Sequence, residues 1–404
     1  LSGNEITDAV RLARVQGDGL ENGDSSIGVW EATTNLVTNG GAETNTNNWT
    51  GNYGPTAPTF TRDTSRSKFG SACFKNVSTN TSTEGKPTST MSVTGGQPYT
   101  FSVWIYNESC PTDGLGLMFQ EIDGGAAAQY TTPITCPVGQ WTRFSVTRTV
   151  NATCTSIRVS TYESHASKQA GDTWYQDGVQ VENQPLATPY VETNGATASR
   201  SAAVARLTSP GTYITKDQGW IAGRVRMRAT EPLGGAGFPR AWQIDATPGR
   251  YSLQYDETNN RWIFQQIDNA SVQHNVNVNR ALADETLTLI HAWTATTVSG
   301  SINGSAFSTV AAGTSAALST DLYIGDSTAG SQQLNLDFFC FACGTGTLSD
   351  ADAALIHDLM DTQADHMPAD FPGTCTMVWH CNDAIAYVPG DDAIRGRGTT
   401  GTGD

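Results

Sequence analysis

The most reactive side chains in this sequence are eight cysteines. They fall into an early group, Cys73, Cys110, Cys136 and Cys154, and a late group, Cys340, Cys343, Cys375 and Cys381. Four thiols can pair in three ways, so spacing alone fixes no disulfide in either group. The late group reads C-x2-C and then C-x5-C, with His380 beside the last thiol, which is also ligand chemistry for zinc. Its first half lies in the apolar run Leu336-Asp337-Phe338-Phe339-Cys340-Phe341-Ala342-Cys343. On a strand, residues three apart face opposite ways. Cys340, Cys343, Cys375 and Cys381 therefore stand as candidates for a disulfide, for free buried thiols, or for a metal site. Patterns that carry catalysis are missing: the sequence has no HExxH, no GxSxG and no P-loop. The six histidines lack metal-ligand spacing, and the carboxylates are scattered singly. Two carboxylates meeting at about 5 Å could still cleave a glycosidic bond, but the sequence favours a non-enzymatic protein.

The aromatic residues offer a different chemistry. A ring face covers the apolar C–H face of a pyranose, while amides and carboxylates read its hydroxyls. Trp49, Tyr53, Tyr106 and Tyr130 are candidates for such platforms in the first half, and Trp242, Tyr255 and Trp262 in the second. Most aromatic residues of a β-sandwich are core, as is expected of Trp104 and Trp141. Arg224, Arg226 and Arg228 make a basic stripe on one strand face, expected to be solvated or to meet an acidic neighbour.

Strands must position these groups. The chain has 404 residues, enough for two domains plus extensions. With 23 Lys+Arg against 39 Asp+Glu the net charge is −16, which argues against a surface that grips a phosphate backbone. Apolar residues make up 38% and charged residues 15%, a balance that fits β-rich domains with uncharged polar outer faces. No apolar run approaches the 18 or so residues that span a bilayer. Tyr99, Phe101, Val103 and Ile105 alternate with polar residues or Trp104, Phe144 and Val146 repeat the pattern, and so do Ile157 and Val159. In the second half Ile221, Val225 and Met227 share one face. Tyr251 to Tyr255 and Leu287 to Trp293 alternate again. One helix is expected from Leu348, with Ser349 as N-cap, Asp352 completing a capping box, and Leu355, Ile356, Leu359 and Met360 as its apolar stripe. The expected fold is all-β, with two tandem antiparallel β-sandwich (jelly-roll) domains, irregular N- and C-terminal extensions and one short C-terminal helix. The boundaries read 1–34 for an arm or connector, 35–194 and 195–360 for the two domains, and 361–404 for the C-terminal extension.

Several segments resemble a known family. Asn35 to Glu43, then Trp49, and finally Trp174 to Glu182 resemble the first and last strands of jelly-roll carbohydrate-binding modules. Gly95 to Trp104 matches that family's G-x-x-Y-x-F-S-x-W strand, and Gly139 to Arg143 its G-x-W-x-R strand. The exit Ala187 to Thr193, the following Thr197 to Ala202, and the entry Glu31 to Leu36 are similar to junctions of bacteriophage tail and appendage proteins. There such a module precedes a concanavalin/laminin-G-like one. Residues 205–360 resemble that partner through Ile302-Asn303-Gly304 and the closing strand and helix, but lack the Glu-x-Asp-x-Glu strand of laminarinase-type glycosidases. The resemblance implies a structural calcium, with Glu43 and Asp177 as its candidate ligands by position. It also implies a phage virion protein on the tail or capsid surface, decorating the particle or adhering to host-surface glycans. Its partners would be other virion proteins and further copies of itself in a symmetric homo-oligomer, without nucleic acid and without membrane insertion. The alternative is a secreted, extracellular carbohydrate-binding protein or a glycosidase-associated binding module.

Overall fold

The computed structural model describes residues 14–15, 26–29, 32–122, 128–200, 205–227, 238–246, 248–281, 283–315, 317–325, 334, 336–362 and 368–380. The chain divides into two compact units, Ala32–Ser201 on one hand and Leu1–Glu31 with Ala202–Asp404 on the other. The first unit is thus an insertion in the chain of the second. Both are built from antiparallel sheets, so the protein is an all-β double sandwich with one described α-helix.

In the inserted unit one sheet has the strand order Trp141–Thr149, Pro98–Asn107, Thr173–Glu182, Cys73–Val77, Thr59–Asp63. The other runs Gln129–Ile134, Leu115–Glu121, Ser156–Glu163, with Glu84–Gly85 and Met91–Ser92 both pairing with the last of these. Alternation decides what lies between them. Phe101, Val103 and Ile105 meet Leu117, Phe119, Ile157, Val159 and Trp174, all fully or almost fully buried. Each such side chain contributes about 1.5–3 kcal/mol through removal from water. The unit's two ends are tied together. Thr33–Asn35 pairs with Ala198–Arg200, and buried Asn35 donates from Nδ2 to the carbonyls of Val179 and Val191 at 3.0 and 2.9 Å. Glu182 accepts from Thr33 Oγ1 at 2.9 Å and from the Thr188 amide at 2.8 Å, holding entry and exit to one carboxylate.

In the second unit an eight-stranded sheet packs with a six-stranded one. Their shared core holds Ile221, Val225, Leu287, Leu289, Trp293, Trp242, Leu253 and Phe264, all buried. His291 is fully buried among Tyr251, Phe264 and Trp293, and burial pushes its pKa down to about 3, so it stays neutral. The Asp350–Asp361 helix starts at the expected capping box on Ser349 and Asp352. It buries Ala353, Ile356 and Met360 against Trp220, Ala222 and Ile290, forming a second small core on the outer face of the larger sheet.

Two segments that the sequence reads as irregular are strands. Ser26–Val29, expected within an arm, pairs with the start of the Leu336–Thr345 strand, Ile27 against Phe338. Thr374–His380, expected within an irregular extension, pairs with the rest of that strand, Cys340 against His380 through Thr345 against Thr374. Two distant segments thereby complete one sheet edge and satisfy backbone groups that would otherwise face water as an aggregation-prone edge. The arginine stripe is paired: Arg224 meets Asp361 at 2.7 Å and Arg226 meets Asp284 at 2.8 Å, while Arg228 lies outside the described residues. A chain of residues 32–201 should fold alone with one cooperative thermal transition by circular dichroism. A chain of residues 202–404, lacking Ser26–Val29, should melt lower than the same unit in the full protein. Equal melting would remove any stabilising role from the N-terminal strand.

Candidate functional site

The strand Ser156–Glu163 has two faces with different work. Ile157, Val159 and Thr161 point into the core, so Arg158, Ser160 and Tyr162 point outward. Their partners on Leu115–Glu121 are Gln120, Met118 and Gly116, and the next strand adds Gln129, Thr131 and Pro133. Met118 and Ser160 are buried and form a floor. Tyr162 lies across Gly116: a Cβ there would come 2.3 Å from its Cζ, so only glycine admits the ring. Tyr53 stands edge-on to Tyr162, with ring centroids 5.2 Å apart at 71°. Its segment is pinned by reciprocal backbone bonds to Gly85 at 2.9 Å. Arg158 donates from Nε to Gln120 Oε1 at 2.7 Å and reaches toward exposed Gly51, which sits at φ 74°. Burial and the neighbouring Tyr53 raise the Tyr162 pKa, against a hydrogen bond with Thr131. Two phenols, two amides, a hydroxyl and a guanidinium therefore converge on one side of a rigid sheet. Such a set can stack on one ring and read hydroxyls around it.

Of the seven aromatic residues picked from the sequence, Tyr53 alone joins this face. Trp49, 5% exposed, is core: its Nε1 donates to the Asn39 carbonyl at 3.0 Å and its ring packs on Phe60 and Phe74. Trp242, Tyr255 and Trp262 lie between the sheets of the second unit, exposed by 0%, 0% and 1%. These four cannot serve as sugar platforms, because no ring face reaches solvent. Tyr106 lies on the outside of the other sheet, and its ring is covered by the Arg66 guanidinium at 4.0 Å. Tyr130 stacks with Arg148 at 3.3 Å. Tyr162, Arg158 and Gln120 were missed. For Arg158 and Tyr162 the signal was the complement of the inward set Ile157 and Val159, and for Gln120 it was alternation with Leu117 and Phe119.

Glu43 and Asp177 do meet. Asp177, fully buried, accepts at Oδ2 from the Lys68 and Phe69 amides, 2.8 and 2.9 Å, and at Oδ1 from Gly178 at 2.7 Å. Glu43 accepts from Ser71 through its amide and hydroxyl. A Cβ on Gly41 would lie 3.2 Å from Asp177 Oδ1 and 3.8 Å from Glu43 Oε1, so both carboxylates border one small cradle. Neither has a basic side-chain partner among the described residues. Burial, with Glu43 adding to it, pushes Asp177 up to about 7 despite its three backbone donors. Carboxylate oxygens without a basic side-chain partner are the donor type that a hard cation takes.

The other titratable clusters look structural. Beneath the candidate face, buried Lys168 lies 3.5 Å from Glu84 and 3.9 Å from Glu163, and donates to the carbonyls of Asn80 and Ser82. Burial raises Glu163 to about 7. Cys340, Cys343 and Cys375 are free and buried, and Cys381 lies outside the described residues. Cys340 sits under the helix while Cys343 faces the other way, beside Ile221. Burial pushes the Cys340 and Cys375 thiols up to about 12, which suits inert core residues. Among the described residues no group of three or more His, Cys, Asp or Glu is arranged to hold a metal ion.

No family model matches the sequence, and no curated protein matches it. Solved structures do show likenesses. A family 16 carbohydrate-binding module is 16% identical over 36% of this chain and 99% of its own, with a TM-score of 0.29. The enzymatically active domain of bacteriophage CBA120 tailspike protein 4 is 16% identical over 36% of this chain and 21% of its own, with a TM-score of 0.30. Domains LG4-5 of the mouse laminin alpha1 chain are 10% identical over 68% of this chain and 92% of that one, with a TM-score of 0.28.

Proposed function

We propose that this chain is a non-enzymatic glycan-binding protein, and that its ligand lies on the outer face of the Leu115–Glu121 and Ser156–Glu163 strands. The observation that carries the reading is Tyr53 edge-on to Tyr162 and the Arg158–Gln120 pair on the same outward face, on a sheet whose other face is core. Tyr53, half-buried, offers the stacking surface, and Tyr162, 6% exposed, holds it in place. Gln120, Gln129, Thr131 and Arg158 supply hydrogen bonds to hydroxyls. Since Tyr53 packs on Tyr162 and Arg158 is bonded to Gln120, these side chains lose little entropy on binding.

The resemblance of the Glu31–Leu36 and Ala187–Thr193 junctions to phage modules supports a setting on the surface of a virion. There the protein would work beside other virion proteins and further copies of itself. Calcium is proposed at Glu43 and Asp177, where it would neutralise two carboxylates and hold the 68–71 loop to the sheet.

Binding, localisation and stability measurements test these readings. In calorimetric titration against glycans found by array, Tyr53→Ala should weaken binding about tenfold, in line with loss of one stacking contact, with an unchanged melting temperature. Trp242→Ala should instead cost about 3–5 kcal/mol of stability in urea. Equal affinity of wild type and Tyr53→Ala removes this face from binding. Mass spectrometry of purified phage particles should find the chain, and its absence there favours the secreted alternative. Asp177 and Glu163 keep a proton in the fold, up to about 7, that the unfolded chain has already lost. In chelator, stability of residues 32–201 should therefore fall as pH rises from the ordinary carboxylate range to about 7. Calcium should raise the melting temperature most at the upper end, and Asp177→Asn should abolish that response. Melting indifferent to chelator excludes a stabilising ion.

A further inference from the structure

Arg158 brings to the candidate face a charge that reading neutral hydroxyls does not require. Its Nε is bonded to Gln120, and its two Nη nitrogens have no partner among the described residues. Nη1 lies beside exposed Gly51, where a Cβ would come within 3.4 Å of it. Nearby carboxylates are turned away. Glu121 is buried on the inner side and accepts from the Asn151 amide at 3.3 Å. Glu84 and Glu163 lie on the inner side too, engaged with Lys168 and with Thr79 and Ser78. The residues that register places on the same face of these three strands, Gln120, Gln129, Met118, Thr131, Ser160 and Tyr162, are neutral. A half-buried guanidinium fixed at one nitrogen and free at two presents a fork matched to a carboxylate.

We infer that the face is selective for an acidic glycan, one whose sugar carries an exocyclic carboxylate, with Arg158 as its specificity-determining residue. This rests on the proposed glycan-binding reading. The carboxylate takes the two Nη donors while the pyranose ring lies toward Tyr53. The chain's net charge of −16 opposes an anionic ligand at long range. At physiological ionic strength that repulsion is screened beyond about 8 Å, whereas the fork acts at contact. Replacing Arg158 by lysine keeps the charge and loses the fork, which separates geometry from simple attraction.

The test is an array of oligogalacturonides, oligoglucuronides and sialyl oligosaccharides, each beside its methyl ester, with neutral and sulfated oligosaccharides included, followed by titration of the strongest pair. Esterification removes the charge and keeps the ring. The expected result is at least tenfold tighter binding of the acid than of its ester, a gap that Arg158→Gln closes and Arg158→Lys narrows. Melting temperatures of both variants show that the fold is intact, and if glutamine unfolds the protein the lysine variant decides. Binding confined to neutral or sulfated members, or an acid preference that survives the substitutions, overturns this inference and leaves glycan binding standing. An array with no bound member overturns both.

Discussion

A β-strand cannot choose its two faces independently, and in Ser156–Glu163 that constraint organises the inserted unit. Ile157 and Val159 must be buried for the sheets to close, so Arg158, Ser160 and Tyr162 are delivered together to the opposite side. A slip of one residue would expose the valine and isoleucine and sink the arginine. The core that stabilises the unit is therefore also what aims the candidate site. At the strand's end Glu163 turns inward to Lys168, where one ammonium between two buried carboxylates is tolerated because carbonyls of Asn80 and Ser82 complete its shell.

Parity along strands made much of this legible from sequence. It correctly assigns Phe101, Val103, Ile105, Ile157 and Val159 to the inside, and the capping box on Ser349 marks the start of the helix to the residue. The same rule, applied more strictly, already contained the answer for Tyr255: in Tyr251-Ser252-Leu253-Gln254-Tyr255 it shares a face with the buried leucine. Aromatic identity alone suggested a platform. Parity and register say core.

What sequence did not reveal depends on contacts between distant segments. Tyr106 is on an outer face, as alternation requires, but Arg66 from a separate loop lies over its ring. Ser26–Val29 is too short to carry a periodic signal, and its partner strand lies beyond the whole inserted unit. The cradle between Glu43 and Asp177 likewise arises because the 68–71 loop folds over the sheet, bringing amides to both carboxylates.

The pairing of Ser26–Val29 with the Leu336–Thr345 strand sets an order of events during synthesis. A ribosome releases every residue of the inserted unit long before the strand that the N-terminal segment must join. The jelly roll, with Thr33–Asn35 zipped to Ala198–Arg200, can close while translation continues. The surrounding unit must wait, Ser26–Val29 still without Leu336–Thr345, until nearly the whole polypeptide has emerged.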